Sequence, residues 1–319
     1  MTCRMVELGY ERAERCKVQG KPACRVGLKD GRRLIHDAHL SRPEHYYSVY
    51  QSCCNWECKF CHSWRFTQRP VGTWWSPEDF VERALEYREQ VTVWEPRRRA
   101  TSFHALDLCL GCGKCVLGER PDWCPGKVDP DDIVPSPQGW GPARNIVAFT
   151  GGDLTCRPDF YVEAIKALKR ETDDLWVLLE SNGFGLVEEH VEELAAAGLD
   201  SVWLDIKAWD EETHRELTGA TNEHTLECVE LLREHDVVVE VCTLYIPGHV
   251  EADQILRIAH HVAQIDPSIP FTILAYFPEY KMSARPPKRS ELETAERLAR
   301  EVAGLKQVRI GNEHVALPG

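Results

Sequence analysis

The chain has 319 residues, a formal net charge of −13 and fourteen cysteines. The negative charge argues against a nucleic-acid partner, because phosphate binding needs clustered lysines and arginines. No apolar run approaches the ~20 residues that cross a bilayer, and the first residues lack the apolar stretch of a signal peptide. We therefore expect a cytoplasmic protein without a membrane or nucleic-acid partner.

Fourteen cysteines are many for a cytosolic chain, in which cysteine clusters hold metal more often than they form disulfides. Asn and Gln are scarce while Arg, Glu and Val are plentiful, a composition found in heat-adapted proteins, some of which keep intracellular disulfides. That leaves Cys3, Cys16 and Cys24 open to bridging or burial. Cys228 and Cys242 lie in apolar patterns, which favour burial.

Short apolar, β-rich runs alternate with stretches of helical periodicity along most of the chain. Ser76, Pro77 and Asp79 form an N-cap, a first-turn proline and a capping-box acid, and Gly198 is a C-terminal stop signal. This alternation predicts right-handed βαβ units and a parallel sheet. Six such units curl toward a partial (βα)6 TIM-like barrel, with an open α/β sheet as the alternative. The predicted strands are 46–52, 145–150, 175–181, 200–206, 237–244 and 271–276, and the predicted helices are 76–90, 159–171, 187–197, 225–235, 251–265 and 291–303.

Two regions interrupt this alternation. Residues 1–45 carry three cysteines and no clear strand–helix rhythm, so we treat them as an N-terminal extension. Residues 95–144 are rich in Pro, Gly and Cys, and a structureless loop of that length is uncommon, so they are predicted to form a small inserted module. The barrel then spans 46–285 around that insertion, and 286–319 supply a C-terminal helix and strand.

The segment "CCNWECKFCHSW" (53–64) is the densest chemical signal in the chain. Cys54, Cys58 and Cys61 form C-x3-C-x2-C directly after the first predicted barrel strand, a spacing that lets one loop wrap a compact inorganic cluster. Structural zinc usually takes four ligands from two separated pairs. Three thiolates on a [4Fe–4S] cluster leave one iron open to chelation by the amino and carboxylate groups of a small molecule.

These residues resemble the radical S-adenosylmethionine (SAM) superfamily, whose hallmark is this cysteine spacing with an aromatic residue, here Phe60, before the last cysteine. The resemblance covers roughly residues 45–282 and is strongest to the activating enzymes of glycyl-radical proteins, such as pyruvate formate-lyase activase. Each further motif falls at or after the end of a predicted strand, where ligands bind in parallel α/β folds. These motifs are "FTGGDLTCRPDF" (149–160), "LLESNGFG" (178–185), "WLDIKAWD" (203–210), "TLYIPGHVEADQI" (243–255) and "ILAYFPEYK" (273–281).

The resemblance implies a site for each motif but identifies no catalytic residue. Cys54, Cys58 and Cys61 would hold the cluster that binds SAM. The implied SAM-binding residues are Phe60, Gly151, Gly152, Asp153, Ser181, Asn182, Asp205 and Lys207. In the activases, Glu180, Ser181 and Asp205 would correspond to a monovalent-cation site, and Tyr276 is a candidate for the adenine pocket or the core. Asp153 and Glu180 depart from the family, which usually has Glu and Asp respectively at these positions.

The insertion contains a second cysteine pattern, "CLGCGKCVLGERPDWCPG" (109–126). It resembles half of a bacterial ferredoxin motif with a longer final gap, and so predicts a ferredoxin-like module with an auxiliary [4Fe–4S] cluster. A zinc site is the alternative. The cluster would relay electrons or shape the substrate mouth. The predicted ligands are Cys109, Cys112, Cys115 and Cys124.

Other cysteines receive weaker interpretations. Residues 16–34 resemble the cysteine-bearing N-terminal segment of another group of activase-like proteins, but the C-x2-C that precedes it there is missing, so the sequence does not support a third metal site. Cys53 stands where relatives usually carry Gly, and we expect it to be a bystander thiol. His62 is assigned no chemistry.

The resemblance implies reductive cleavage of SAM to a 5′-deoxyadenosyl radical, which abstracts hydrogen from a protein or peptide substrate under anaerobic conditions. A low-potential donor such as ferredoxin or flavodoxin would supply the electron. One alternative is a protein C-methylase that also uses cobalamin, although Asp37 and His39 lack the glycine of the D-x-H-x-x-G cobalamin motif. The other is a non-catalytic iron–sulfur electron-transfer protein, in which the SAM-facing motifs would have no purpose.

Overall fold

The computed structural model describes residues 3–319. Within them the strands are β1 Lys17–Val18, β2 Lys21–Pro22, β3 Leu28–Lys29, β4 Arg32–Leu40, β5 Tyr47–Gln51, β6 Thr73–Trp75, β7 Val134–Ser136, β8 Gly139–Gly141, β9 Ile146–Gly151, β10 Trp176–Ser181, β11 Ser201–Asp205, β12 Val238–Tyr245, β13 Phe271–Ala275 and β14 Val308–Gly311. The helices are α1 Arg4–Glu7, α2 Ala23–Gly27, α3 Trp64–Thr67, α4 Pro77–Arg88, α5 Ala105–Leu108, α6 Asp159–Glu171, α7 Glu188–Ala197, α8 Glu211–Thr218, α9 Glu223–Glu234, α10 Ala252–Ile265 and α11 Arg289–Arg297.

One main sheet organises the fold, with the strand order β14-β13-β12-β11-β10-β9-β5-β4-β3. Every neighbouring pair from β5 to β14 is parallel. Helices between these strands pack against the sheet, so the architecture is the predicted α/β partial TIM barrel. The six predicted barrel strands each match an observed strand to within one residue at either end, and β14 adds a seventh parallel strand at the edge.

Strand β4 was not predicted, because no strand–helix rhythm marks the first 45 residues. It runs antiparallel to β5, and its register shifts between Ile35 and Asp37. The strand also pairs with β6. Its buried positions do not alternate, since Arg33, Leu34 and Ile35 are all buried in succession. The period-2 signal of a strand is therefore missing from the sequence.

The predicted helices form with small shifts at their ends. Ser76 and Asp79 make the reciprocal capping-box hydrogen bonds at the start of α4. Gly198 follows α7 with a left-handed φ of 100°. The last predicted helix is instead α11 followed by a π-helical turn at Leu298–Val302, and α8 was not predicted. None of the helices in residues 3–319 is long and apolar enough to span a membrane.

Residues 95–144 lie at the end of the barrel where the strands begin, because they connect α4 to the start of β9. Arg144 is fully buried just before β9 and holds this insertion in place by hydrogen bonds. Its Nε donates to Glu95 Oε2 at 2.5 Å, and its remaining nitrogens donate to backbone carbonyls. Those carbonyls belong to Glu44 (3.1 Å), Thr101 (2.8 Å) and Arg99 (2.7 Å).

The insertion also bridges the two edges of the open barrel. On one edge, Arg309 of β14 donates to the Phe103 carbonyl and to Asp107 Oδ1 (2.9 Å). On the other, Arg42 follows β4 and donates to three carbonyls around the hairpin of β7 and β8. The insertion therefore closes the strand-start end of the barrel by hydrogen bonds to both edge regions.

Replacing Arg144 should destabilise the protein far more than replacing an exposed arginine. In Arg144→Met, Glu95 stays buried without its charged partner, and we expect the free energy of unfolding to fall by about 3–5 kcal/mol. The control is Arg83→Ala, which removes an exposed pair with Glu86 and should cost less than about 1 kcal/mol. Denaturant unfolding of the two variants measures this difference, and equal losses would contradict the role given to Arg144.

Candidate functional site

A cavity of about 420 Å³ opens among the carboxyl ends of the barrel strands and continues into the barrel. This is the region where parallel α/β folds place their ligands, because the loops after successive strands converge there. Most of the predicted site residues line it: Cys54, Cys58, Phe60, Cys61, Gly151, Ser181, Asn182, Asp205 and Lys207. The predicted residues Gly152 and Asp153 do not line the cavity.

The thiols of Cys54, Cys58 and Cys61 face one another in this cavity. Burial raises the pKa of Cys54 to about 12, and the nearby Asp153 carboxylate adds to the shift. Burial also raises the pKa of Cys58 well above its usual value, and the neighbouring Cys61 and Cys54 raise it further. Buried thiolates need a positive partner, which a coordinated metal supplies.

The donor set of this loop fits an iron–sulfur cluster. Each thiolate of such a cluster binds a different iron, and the three cysteines of one loop supply three such ligands. Structural zinc usually takes four ligands from two separated pairs, and this loop has no second pair.

Arg33, which no sequence pattern marks, positions the loop of Cys54, Cys58 and Cys61, called the cluster loop from here on. Its side chain is fully buried, and its guanidinium donates to backbone carbonyls from three separate segments. A buried guanidinium needs all its donors satisfied, so these segments must stay in place together. The acceptors are the carbonyls of Gly27 (3.1 Å), Ser52, Cys53 (3.1 Å) and Gly152 (2.9 Å).

The glycine turn after β9 depends on the absence of side chains. Gly151 has a left-handed φ of 84°, which glycine adopts without steric cost. At Gly152, a Cβ would lie 2.2 Å from the Cys53 carbonyl oxygen, so no other residue fits between the two loops without displacing one. The backbone of this turn can therefore approach a ligand in the cavity closely, as the predicted contact with the SAM amino group requires.

Asp153 is fully engaged by the protein itself. Its Oδ1 accepts hydrogen bonds from the amide and hydroxyl of Thr155, both at 2.7 Å. Its Oδ2 accepts from the Ser181 hydroxyl (2.6 Å) and the Asn182 amide (2.9 Å). We therefore expect Asp153 to hold the loops after β9 and β10 together rather than to contact SAM as the resemblance implies.

Asn182 connects the loop after β10 to the cluster loop. The side-chain Nδ2 of Asn182 donates to Asn55 Oδ1 at 2.7 Å and lies 3.9 Å from the thiol sulfur of Cys54. The Asn55 amide in turn donates to the Asp153 carbonyl at 2.8 Å. The predicted SAM-facing segments thus form one hydrogen-bonded unit beside Cys54, the first predicted cluster ligand.

Lys207 places a positive charge beside the cluster loop. Its Nζ lies 2.8 Å from Asp205 Oδ2 and 5.7 Å from the ring centre of Phe60. Burial lowers the pKa of Lys207, but the Asp205 carboxylate and the Cys58 thiol outweigh this effect and hold that pKa above its usual value. The lysine is therefore charged where it offsets the negative charge of the cysteine loop.

The residues of the predicted monovalent-cation site all line the cavity, but each has a protein partner. Glu180 accepts hydrogen bonds from the Thr150 hydroxyl (2.5 Å) and the Tyr46 hydroxyl (2.9 Å). Ser181 donates to Asp153, and Asp205 pairs with Lys207. Burial raises the pKa of Glu180 to about 8, so its carboxyl group is largely protonated at neutral pH.

The cysteines of the insertion are also brought together. Burial raises the pKa of Cys109, and the nearby thiols of Cys115, Cys112 and Cys124 raise it further. The Cys109 carbonyl lies 2.9 Å from Nε2 of His45, just before β5, which puts this group at the strand-start end of the barrel. The insertion also forms part of the cavity wall through Ser102, Phe103, Leu106 and Gln138.

An α/β partial barrel with a cysteine-lined cavity at its strand ends is therefore the class of protein that the fold and site define. The family model described as the radical SAM superfamily matches residues 111–262, which begin in the insertion and exclude the loop of Cys54, Cys58 and Cys61. A Methanocaldococcus jannaschii protein, named as a glycyl-radical enzyme activating enzyme, is 28% identical over 158 residues, 48% of this chain and 58% of that protein.

Pyruvate formate-lyase 1-activating enzyme of Escherichia coli is 27% identical over 161 residues, 46% of this chain and 64% of the enzyme. The chain therefore matches less than two thirds of the length of both relatives. Streptococcus suis SuiB, solved with its precursor peptide SuiA, superposes with a TM-score of 0.54 at 15% identity, covering 87% of this chain and 51% of SuiB, and supports the fold alone. Residues 111–262 therefore match a radical SAM domain.

Cys53 and Cys54 provide a test of which thiols bind metal. Cys53 is buried with a left-handed φ of 67°, which explains why glycine suits this position. Cys53→Gly should leave the iron content unchanged and alter the free energy of unfolding by less than about 1 kcal/mol, because relief of backbone strain offsets the lost side chain. Cys54→Ala should lose about four irons per chain. Iron analysis after anaerobic reconstitution measures both, and iron loss in Cys53→Gly would contradict the bystander role.

The buried Glu180 should make stability depend on pH. Its pKa is about 8 in the folded chain against an ordinary value of 4.5, so the folded state retains a proton that the unfolded state releases between these values. The free energy of unfolding should therefore decrease as pH rises from about 5 to about 8, by at most about 1.4 kcal/mol per pH unit from this group, and the contribution of this group should level off above pH 8. The decrease should be smaller in Glu180→Gln and unchanged in the exposed control Glu82→Gln. Identical pH profiles for wild type and Glu180→Gln would refute the assignment.

Proposed function

We propose that this chain is a radical SAM enzyme that cleaves SAM reductively and abstracts hydrogen from a protein or peptide substrate. The observation that carries the proposal is the convergence of Cys54, Cys58, Cys61, Gly151 and Lys207 on one cavity. In that cavity the thiolates would hold a [4Fe–4S] cluster, and the neighbouring strand ends would hold SAM. When bound and reduced, this pair supplies a 5′-deoxyadenosyl radical that can attack an unreactive C–H bond.

The residues around the cavity fit a small molecule with charged and polar groups. Gly151 lets the backbone of its turn approach a ligand amino group, and Gly152 lets that turn pack against the Cys53 carbonyl. Asn182 holds the adjacent loop against the first cluster cysteine through Asn55. The charged Lys207 offsets the thiolates and can attract a carboxylate. In this proposal Asp153 does not contact SAM but holds the loop after β10 in place through Ser181 and Asn182.

The barrel protects the reacting centre from water. Below the cluster loop, Tyr50, Trp203 and Tyr276 contribute aromatic surface to the cavity, and the insertion closes the strand-start end. A radical that reacts with any accessible hydrogen needs such exclusion, so that only the positioned substrate C–H bond is attacked. The chain's own contribution is therefore confinement and positioning.

A protein or peptide substrate is supported by the names of the two relatives, which are activating enzymes. The further proposal is activase-like chemistry, in which the hydrogen is removed from a glycine of a partner enzyme. A low-potential protein such as ferredoxin or flavodoxin would deliver the electron.

The second cluster is proposed at Cys109, Cys112, Cys115 and Cys124. At the strand-start end it would lie across the barrel from the SAM site. Most barrel strands have five or six residues, which at about 3.3 Å per residue span roughly 17–20 Å. Residues 102–106 of the same insertion line the cavity. Shaping the cavity is therefore the better supported of its two predicted roles.

Anaerobically reconstituted protein reduced with dithionite in the presence of SAM should form 5′-deoxyadenosine and methionine. The variant with alanine at Cys54, Cys58 and Cys61 should form neither, because the cluster that binds SAM is lost. The matched control is Cys228→Ala, which replaces a fully buried cysteine away from the cavity and should retain the activity. Liquid chromatography with mass spectrometry measures both products.

Wild-type protein that carries a reducible cluster but forms no 5′-deoxyadenosine would contradict the enzymatic proposal and favour the electron carrier. Nucleoside formation that appears only when cobalamin is added, together with a methylated product, would replace the activase-like proposal with the C-methylase. Nucleoside formation without cobalamin supports the proposal as stated.

A further inference from the structure

Four cysteines outside both predicted cluster sites are brought together from four segments of the chain. They are Cys3 before α1, Cys16 before β1, Cys24 in α2 and Cys156 in the loop after the glycine turn. The thiols of Cys16, Cys24 and Cys156 are each 6–7% exposed, and Cys3 is half-buried. The proposed function uses none of them.

The hairpin of β1 and β2 brings two of the four cysteines together. Lys17 pairs with Pro22 across the hairpin, so the residue before the first strand lies beside the residues after the second. Those residues are Cys16 on one side and the start of α2, with Cys24, on the other. The hairpin therefore brings Cys16 close to Cys24.

Side-chain contacts bring the other two cysteines to the hairpin. Arg4, next to Cys3, lies 3.9 Å from Asp159 at the start of α6, three residues after Cys156. At the end of α2, a Cβ on Gly27 would lie 2.8 Å from the Leu154 side chain, so α2 packs directly on the loop that contains Cys156. The four segments are therefore held against one another.

The pKa shifts of these cysteines agree with the proximity of all four thiols. Burial raises the pKa of Cys156 well above its usual value, and Cys16, Cys24 and Cys3 raise it further. Cys24 and Cys3 likewise add to the effect of burial on the pKa of Cys16, which is about 11, and Cys3 does so for Cys24. The thiols of each of the six possible cysteine pairs therefore interact electrostatically.

Other buried cysteines in the described chain behave differently. The pKa of Cys53 is raised by burial and lowered by Arg33, and that of Cys228 is raised by burial and by Asp153 and Glu227. Neither is shifted by another thiol. A core that used cysteine only as a small apolar residue would scatter its thiols in this way, whereas Cys3, Cys16, Cys24 and Cys156 are grouped.

We propose that Cys3, Cys16, Cys24 and Cys156 form a third thiolate site, which holds an iron–sulfur cluster. Four thiols are the ligand set of a [4Fe–4S] cluster, the same donor set that is predicted at Cys109, Cys112, Cys115 and Cys124. Arg12 near Cys16 and Arg157 near Cys24 supply positive charge for an anionic centre. The cluster ties the N-terminal extension to the loop that continues from the glycine turn.

The test counts metal in a chain from which the other two sites have been removed. This background variant carries alanine at Cys54, Cys58, Cys61, Cys109, Cys112, Cys115 and Cys124. After anaerobic reconstitution it should retain about four irons and about four sulfides per chain. Adding Cys16→Ala and Cys24→Ala should reduce both to near zero, whereas the matched control Cys228→Ala should not. The readout is metal content, so it is independent of SAM cleavage.

Two results overturn the proposal: a background variant that binds one zinc in place of iron, and one that binds neither metal while circular dichroism shows a native fold. If the background variant does not fold, Cys16→Ala with Cys24→Ala in the otherwise wild-type chain decides the question. That double variant should contain about four irons fewer than wild type. Equal iron in the two proteins would refute the third site.

Discussion

The candidate site depends on one buried guanidinium, that of Arg33. It binds carbonyls of the N-terminal extension, the residues that lead into the cluster loop and the glycine turn at once, so these segments cannot move independently. Leaving even one buried donor without an acceptor costs about 1–3 kcal/mol, and more for a charged group. The cluster loop itself has little regular structure, and its position is therefore set by this clamp together with the chain of hydrogen bonds from Asp153 through Asn182 to Asn55.

A second buried arginine, Arg144, acts at the opposite end of the barrel. It fixes the insertion beneath the strands, while Lys207 stands among the thiols at the strand ends. The cavity between these ends contains two acids whose pKa values are raised by burial, that of Glu180 to about 8 and that of Glu240 to about 7. At pH 7 Glu180 is therefore mostly uncharged and Glu240 is only partly charged. The barrel thus keeps the ion pairs of Arg144 and Lys207 at its ends and weakly charged acids in its interior.

The sequence predicts the parts of the site that are local. The barrel strands are continuous apolar runs, and C-x3-C-x2-C lies within one loop, so both are visible without tertiary information. Arg33 was missed because it follows Arg32 in a segment with no strand periodicity, and nothing local distinguishes it from a surface residue. The engagement of Asp153 by Ser181 and Asn182, and the grouping of Cys156 with Cys3, Cys16 and Cys24, join residues far apart in the chain, so only the folded structure reveals them.

The central claim is that Cys54, Cys58 and Cys61 leave one iron of a cluster open to SAM. The most direct measurement is electron–nuclear double resonance of the reduced, anaerobically reconstituted protein with SAM isotopically labelled in its amino and carboxylate groups. The account predicts hyperfine coupling from both groups in wild type and its loss in Cys58→Ala. A reduced cluster in wild type that shows no coupling to either group would contradict it.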